Sequence, residues 1–197
     1  MIPIFDNGHG GVIDGVYQTA GKRSPAWGEG TLFEGVFNRE MVRRLIKRLD
    51  ALGMPYGYVS PEDQDISLQR RVTRANQFYH LHKKQAYLFS VHANAGGGTG
   101  WEIFTSIGLT KSDAIADVFI AHLKDLPIVH RMELSDGDKD KEANFYVLTK
   151  SQCPAVLLEC AFMDNQKDYE YLWSEKFKQQ LEDLCTSAIM ELYTINL

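Results

Sequence analysis

The sequence has few cysteines and no excess of positive charge. Its three cysteines, Cys153, Cys160 and Cys185, fit neither a disulfide framework nor a CxxC metal knuckle, in number or in spacing. We therefore predict free thiols, as in a protein made in a reducing compartment. Lysine and arginine number 21 against 26 acidic residues, a formal net charge of −5. Because nucleic-acid binders usually carry a basic patch, we expect no nucleic-acid partner.

Long hydrophobic runs and internal repeats are also missing. No stretch approaches the roughly 20 apolar residues of a membrane span. The N-terminus lacks the basic and apolar segments of a signal peptide. We therefore expect a protein made in the cytoplasm, with no membrane span and no obligate protein partner. The length predicts one domain over residues 1–197.

Short apolar runs alternate with helical patterns. The runs predict strands at 2–5, 54–59, 86–91, 101–105, 145–148 and 155–158. Apolar periodicity predicts helices at 38–52, 67–82 and 111–126, and a closing helix, broken or continuous, at 167–193. The alternation predicts an α/β fold with a largely parallel sheet. The glycine-rich stretch 8–35 has little periodicity and predicts a long loop, which is often functional.

Three of the predicted strands end in a group that binds metals or carries protons. The runs at 2–5, 86–91 and 155–158 lead into His9, His92 and Glu159. Ligands of an open α/β sheet bind at the carboxyl ends of its strands, so parallel neighbours would bring these side chains together. Glu34 is a fourth such group, at the start of the first helix.

Two histidines and a carboxylate form a common catalytic zinc set, and a further carboxylate then carries the proton of the activated water. The interpretation without a metal stays open, because a histidine after a strand is often a capping or core residue.

Other residues of the same types are interpreted more simply. Cys160 could be a nucleophile, although a buried thiol is favoured. We interpret the four remaining histidines as surface residues: His80, His82, His122 and His130. The acidic run 136–142 lacks EF-hand spacing and predicts a solvated loop.

Five motifs in order give the chain a specific resemblance. They are DNGHGG at 6–11, EGVFN at 34–38, SVHANA at 90–95, GWEIF at 100–104 and PAVLLECAFMDN at 154–165. The chain resembles the zinc-dependent N-acetylmuramoyl-L-alanine amidases of the amidase-3 type, from residue 2 to the C-terminus. Two departures keep every chemical group: Asn7 replaces the family's proline, and Cys160 with Ala161 replaces the pair that commonly follows the glutamate.

The resemblance implies a fold, a metal and a reaction. The family fold is a twisted, mainly parallel sheet flanked by helices. His9, Glu34 and His92 would bind one Zn²⁺ ion, and Glu159 would act as general base and acid. The substrate would be peptidoglycan, cut at the amide between N-acetylmuramic acid and the L-alanine of the stem peptide.

Three further residues are candidates for substrate contact. Arg23 and Trp27, in the glycine-rich stretch, could contact glycan or peptide. Asn94 could position the stem peptide, or fix its own turn instead.

For the biological setting we expect a phage lysis enzyme that reaches the cell wall after release from the host cytoplasm. Three alternatives remain: a bacterial wall-remodelling or mother-cell lysis amidase, a non-catalytic wall-binding module of the same fold, and a zinc peptidase that cuts within the stem peptide or a protein. The presence of all four chemical groups argues against the non-catalytic module.

Overall fold

Strands and helices alternate along residues 1–134 and 137–195, which the computed structural model describes. The strands are β1 (Ile2–Asp6), β2 (Val12–Ile13), β3 (Val16–Tyr17), β4 (Arg23–Trp27), β5 (Gly30–Phe33), β6 (Gly57–Tyr58), β7 (Ala86–Asn94), β8 (Glu102–Thr105), β9 (Lys141–Glu142) and β10 (Ala155–Phe162). The α-helices are α1 (Glu34–Leu52), α2 (Leu68–Leu81), α3 (Lys111–Ala121), α4 (Tyr146–Thr149), α5 (Gln166–Trp173) and α6 (Glu175–Thr194).

In the described residues the central sheet has the strand order β6-β1-β7-β10-β8-β9. Every neighbouring pair is parallel except β10 with β8, which is antiparallel. The three strands that end in candidate site residues, β1, β7 and β10, are therefore adjacent and parallel. This single-domain α/β fold, with a mostly parallel sheet flanked by helices, confirms the predicted fold class.

The sheet carries a hydrophobic core on each face, because alternate strand residues point to opposite sides. The first core packs Phe5 and Phe89 against α1, α3, α5 and α6. The second and smaller core packs Ile4, Leu88 and Leu157 against α2 and α4. Among the described residues, no helix has the length and apolar run that crossing a bilayer requires.

The predicted loop over the glycine-rich stretch is wrong in part. The segment folds into two antiparallel hairpins, β2 with β3 and β4 with β5. Each strand has five residues or fewer, which is too short for periodicity to stand out. The first hairpin turns through Asp14 and Gly15, both at positive φ.

The predicted strand at 145–148 is also wrong, because these residues form α4 and its N-terminal flank. Val147 and Leu148 are buried in the second core, so the apolar run reflects burial and not strand structure. A run of four apolar residues does not distinguish a strand from a short helix.

Several predicted boundaries shift. The strand predicted at 54–59 shortens to Gly57–Tyr58, and the first helix begins at Glu34 instead of residue 38. The helix predicted at 111–126 ends at Ala121, and a 3₁₀ turn follows it. The closing helix is broken at Ser174, whose side chain caps α6. The three cysteines are free, as predicted, and all three are buried.

Candidate active site

A pocket of about 730 Å³ lies over the carboxyl ends of β1, β7 and β10. On the face of the second core, the apolar side chains of these strands give way to polar ones at their ends. The four residues predicted from the sequence, His9, Glu34, His92 and Glu159, all line this pocket. The structure therefore brings together all four, although they lie up to 150 residues apart in the chain.

His9 follows β1 on a tight turn with a left-handed backbone. Its φ is 56°, and its carbonyl oxygen accepts hydrogen bonds from Arg39 Nη1 at 2.9 Å and from Arg71 Nη2 at 3.1 Å. The preceding Gly8 also has positive φ, and a Cβ there would lie 2.3 Å from the His92 ring. Glycine is therefore needed at position 8 for both the turn and the approach of the two histidines.

Glu34 is the first residue of α1 and is only 2% exposed. Its Oε1 atom lies 2.9 Å from His92 Nδ1 and 3.1 Å from His9 Nε2, and the two imidazole rings meet edge to face at 5.1 Å. Burial raises the pKa of Glu34, but the two imidazoles outweigh it and lower the pKa to about 2. For His92, burial lowers the pKa, and the adjacent Glu34 carboxylate raises it above the usual value. Glu34 is therefore ionised at neutral pH.

The two hairpins hold the N-terminus of α1 in place. The backbone N–H of Glu34 donates to the Lys22 carbonyl at 3.0 Å, and that of Gly35 donates to Tyr17 Oη at 2.9 Å. These contacts replace a side-chain cap, which Phe33 does not provide. The hairpins also reach the His9 turn, because Gly10 N–H donates to Thr19 Oγ1 at 2.7 Å.

The donor set suits a divalent transition metal. One potential ligand atom from each of His9, Glu34 and His92 lies within 4.8 Å of the other two. Within the described part of the chain, Glu34 Oε2 is buried without a hydrogen-bond partner, and buried His9 Nε2 lies 3.1 Å from Glu34 Oε1 without the geometry of a hydrogen bond. Buried polar atoms are normally satisfied, so these two atoms fit the role of metal ligands. Two imidazole nitrogens and one carboxylate are a catalytic zinc set with a position left open.

Glu159 lies on β10 as the register partner of His92 on β7. Burial raises its pKa to about 8; His92 and Lys22 oppose this rise, and the Glu34 charge adds to it. Its Oε2 atom has no hydrogen-bond partner among the described residues. A carboxyl group that gains and loses a proton near neutral pH is suited to general acid–base chemistry.

Asn94 lines the same pocket, two residues after His92. Its Oδ1 accepts from the N–H of Ala95 at 2.8 Å, and its Nδ2 donates to Glu102 Oε2 at 2.6 Å. The side chain therefore fixes its own turn and is held by a buried glutamate. Contact with a stem peptide stays a prediction.

Arg23 and Trp27 do not line the pocket of the four site residues. Trp27 packs edge to face on Tyr169, with ring centroids 5.0 Å apart, and lines a separate cavity with Trp173. Arg23 is exposed on β4, and its neighbour Lys22 lines the pocket instead. Their roles in substrate binding stay predictions.

Sequence reasoning missed Lys22, Arg71 and the apolar wall of the pocket. Leu68, Phe145 and Tyr146 form part of this wall and are partly exposed. The sequence carries no signal for this wall, because only the fold shows that α2 and α4 meet at the pocket.

Cys160 does not line the pocket of the four site residues. It is buried in the first core, and burial raises the pKa of its thiol well above the usual value.

The acidic run 136–142 is only in part the solvated loop that was predicted: Gly137 and Lys139 are exposed, but Asp140 is buried and Lys141–Glu142 form β9; residue 136 itself lies outside the described residues. Asp140 is only 1% exposed and accepts a hydrogen bond from Thr105 Oγ1 at 2.7 Å. One carboxylate oxygen each from Asp113, Asp138 and Asp140 lie within 4.8 Å of one another. Burial, opposed by the Thr105 hydrogen bond and helped by the charges of Asp138 and Asp113, raises the pKa of Asp140 to about 6.

A sheet edge that presents two imidazoles and two carboxylates in one pocket is typical of metal-dependent hydrolases. The chain belongs to the amidase-3 family, whose model is described as N-acetylmuramoyl-L-alanine amidase and matches residues 4–191. The resemblance predicted from the five motifs is confirmed.

Individual relatives agree with the family. The chain is 32% identical over 184 residues to the N-acetylmuramoyl-L-alanine amidase CwlM of Bacillus licheniformis, covering 92% of this chain and 64% of CwlM. It is 30% identical over 193 residues to the uncharacterised protein YqiI of Bacillus subtilis, covering 96% of this chain and 83% of YqiI. The crystal structure of an N-acetylmuramoyl-L-alanine amidase from Clostridium difficile 630 has the same fold, with a TM-score of 0.75 and 23% identity over 100% of this chain and 98% of that one.

Proposed function

We propose that this chain hydrolyses the amide between N-acetylmuramic acid and the L-alanine of the peptidoglycan stem peptide, with one zinc ion. One observation carries the proposal: Glu159 is the register partner of His92, and its carboxyl group lines the same pocket as the donor set of His9, Glu34 and His92. The family match and the identity to CwlM support the choice of bond.

His9, Glu34 and His92 would hold the zinc ion. When bound, zinc supplies Lewis-acid chemistry, because it polarises a carbonyl oxygen and makes a water molecule easier to deprotonate. The chain's own contribution to the proton transfers is Glu159. Its carboxylate accepts the proton of the attacking water and then donates it to the nitrogen of L-alanine as the amide bond breaks. The raised pKa of Glu159 favours the second step, because the protonated form is reachable near neutral pH.

The substrate-facing residues would orient the muramyl peptide. Lys22 and Asn94 offer polar groups at the pocket, and the wall of Leu68, Phe145 and Tyr146 offers apolar surface. A mostly apolar lining with a few polar groups is the usual composition of a binding pocket.

Mass spectrometry of fragments released from purified sacculi tests the proposal. We expect free stem peptides that begin with L-alanine, lost with a zinc chelator and lost in Glu159→Gln. Glu191→Gln is the matched control, because Glu191 lies on the surface of α6 in an ion pair with His122. Cuts inside the stem peptide would assign the chain to the peptidases instead. Binding without release of fragments would make it a wall-binding module.

For the setting, we propose a lysis enzyme that is made in the cytoplasm and reaches the wall on release. The relatives from Bacillus favour a second candidate, an amidase that remodels the wall of its own cell. Expression in a Bacillus host separates the two. Lysis only after the membrane is permeabilised supports the first, and altered wall turnover in growing cells with an intact membrane supports the second.

A further inference from the structure

Two buried polar residues of the strands, Asp6 and Ser90, have no part in the chemistry described so far. They are register partners on β1 and β7, and the Ser90 hydroxyl donates to Asp6 Oδ2 at 2.8 Å. Ser90 precedes His92 by two residues, so both side chains point to the same face of the sheet. His92 Nε2 lies 3.1 Å from Ser90 Oγ, within hydrogen-bond distance.

The direction of these hydrogen bonds follows from the donors available. Asp6 Oδ1 pairs with the guanidinium of Arg71 and also accepts from Ser60 Oγ at 2.8 Å, so Asp6 is an ionised carboxylate that only accepts. A serine hydroxyl has one hydrogen, and Ser90 gives it to Asp6. Ser90 Oγ can then only accept from His92, which places the imidazole hydrogen on Nε2. With the hydrogen on Nε2, His92 Nδ1, the nitrogen that faces Glu34, would offer its lone pair to the zinc ion instead of a hydrogen to the Glu34 carboxylate.

Asp6 is also linked to the other histidine. Arg71 contacts Asp6 through Nη1, and its Nη2 donates to the His9 carbonyl oxygen at 3.1 Å. Arg71 and Asp6 are both almost fully buried, so this ion pair is screened little by solvent. His9 has a left-handed backbone, which a non-glycine residue adopts only where its surroundings hold it.

We infer that Asp6 and Ser90 are positioning residues for the metal centre: through Ser90, Asp6 fixes the His92 tautomer that offers Nδ1 as a ligand, and through Arg71 it holds the His9 backbone. The inference rests on the proposed zinc site. Outer hydrogen-bond partners of this kind typically contribute 10- to 100-fold to metal affinity.

We call the hydrogen bonds from His92 through Ser90 to Asp6 the relay. Zinc affinity of the metal-stripped protein, measured by competition with a chromophoric chelator, tests the relay without any substrate turnover. We expect Ser90→Ala to bind zinc 10- to 100-fold more weakly. Ser60→Ala is the matched control, because Ser60 also donates to Asp6 but is not hydrogen-bonded to His92. It should change the affinity less than about threefold. Equal losses in the two variants, or no loss in Ser90→Ala, would overturn the inference.

Asp6→Asn reverses the polarity of the relay with little change in shape. Its amide group can donate to Ser90 Oγ, which then donates to His92 Nε2 and moves the imidazole hydrogen to Nδ1. We expect zinc to bind at least tenfold more weakly. Since Asp6 also pairs with Arg71, this variant is interpreted only where its thermal unfolding shows a folded protein.

The tautomer itself is measured by ¹⁵N NMR of the imidazole groups, which keeps the test independent of folding in the variants. In the zinc-loaded wild type we expect His92 to carry its hydrogen on Nε2; hydrogen on Nδ1 would overturn the relay. If the wild type binds no zinc, the proposed cofactor fails. Zinc binding with the His92 hydrogen on Nδ1 would overturn the relay alone, so the two failures are distinguishable.

Discussion

Glu159 and His92 are register partners on two adjacent parallel strands, β10 and β7. Their separation is therefore set by the hydrogen-bonded ladder of the sheet and not by a loop. Groups held on strands keep their geometry better than groups on mobile segments, which proton transfer requires. Glu34 reaches the same point from a helix terminus, which the hairpin residues fix through backbone hydrogen bonds.

Replacing Glu159 by glutamine should separate catalysis from metal binding. Glutamine has nearly the same shape but cannot carry a proton, so we expect kcat to fall by about 10²- to 10⁴-fold. Zinc stoichiometry, measured by elemental analysis of the purified variant, should stay at one per chain. Retention of most of the activity would remove Glu159 from the proton transfers.

Adding a single methyl group at Gly8 should damage the metal centre. The Cβ of alanine would lie 2.3 Å from the His92 ring, at a backbone φ of 36° that L-residues rarely adopt. We expect Gly8→Ala to lose more than about 1 kcal/mol of unfolding free energy and most of its zinc affinity. Gly28→Ala is the control, since a Cβ there meets nothing within 4 Å. Urea unfolding and chelator competition measure the two effects, and equal behaviour of the two variants would contradict the prediction.

Asp140 should make the protein less stable as the pH rises. Its folded pKa of about 6 lies above the usual value of an aspartate, so the folded protein binds this proton more tightly than the unfolded chain. The resulting stability is fully present below about pH 4 and is lost as the pH rises through 6. Asp140→Asn stays neutral, so we expect it to be more stable than the wild type at pH 8, by at most about 3 kcal/mol.

Urea unfolding at pH 4 and pH 8 checks the Asp140 prediction. The difference between Asp140→Asn and the wild type should be small at pH 4 and large at pH 8. Asp117→Asn, at an exposed position of α3, should show little difference at either pH. A constant difference for Asp140→Asn across this range would show that its ionisation is not responsible.

The three cysteines should not react with alkylating agents in the folded protein. Cys153, Cys160 and Cys185 are buried, and burial raises the pKa of each thiol. Because the thiolate is the reactive form, we expect no labelling by iodoacetamide at pH 7.5 and three labels in denaturant, read by intact mass. Cys160→Ala should keep its activity. Rapid labelling of Cys160 with loss of activity would reopen its role as a nucleophile.

The sequence predicted the central strands and the four site residues because each left a local signal. Strands β1, β7 and β10 are short apolar runs that end in a histidine or glutamate. The start of α1 left no such signal, because Phe33 offers no capping side chain. α4 was mistaken for a strand because its four residues show burial without periodicity.

The hydrogen-bond relay was beyond local sequence reasoning. Asp6 and Ser90 are 84 residues apart, and only the register of β1 against β7 places them side by side. Arg71 appeared in the sequence as one more charge on a polar helix. Its role depends on the packing of α2 against the end of β1, which periodicity alone does not give.

The pocket joins two parts of the fold that rest on different cores. Glu34 belongs to α1 and the first core, whereas Leu68, Phe145 and Tyr146 lie on or beside α2 and α4, the helices of the second core. We therefore expect chemistry and selectivity to be separable for protein engineering. Leu68, Phe145 and Tyr146 are exposed, so we expect these three positions to be the place to diversify when a different stem peptide is wanted, with Arg71 on α2 kept because it contacts the His9 carbonyl oxygen.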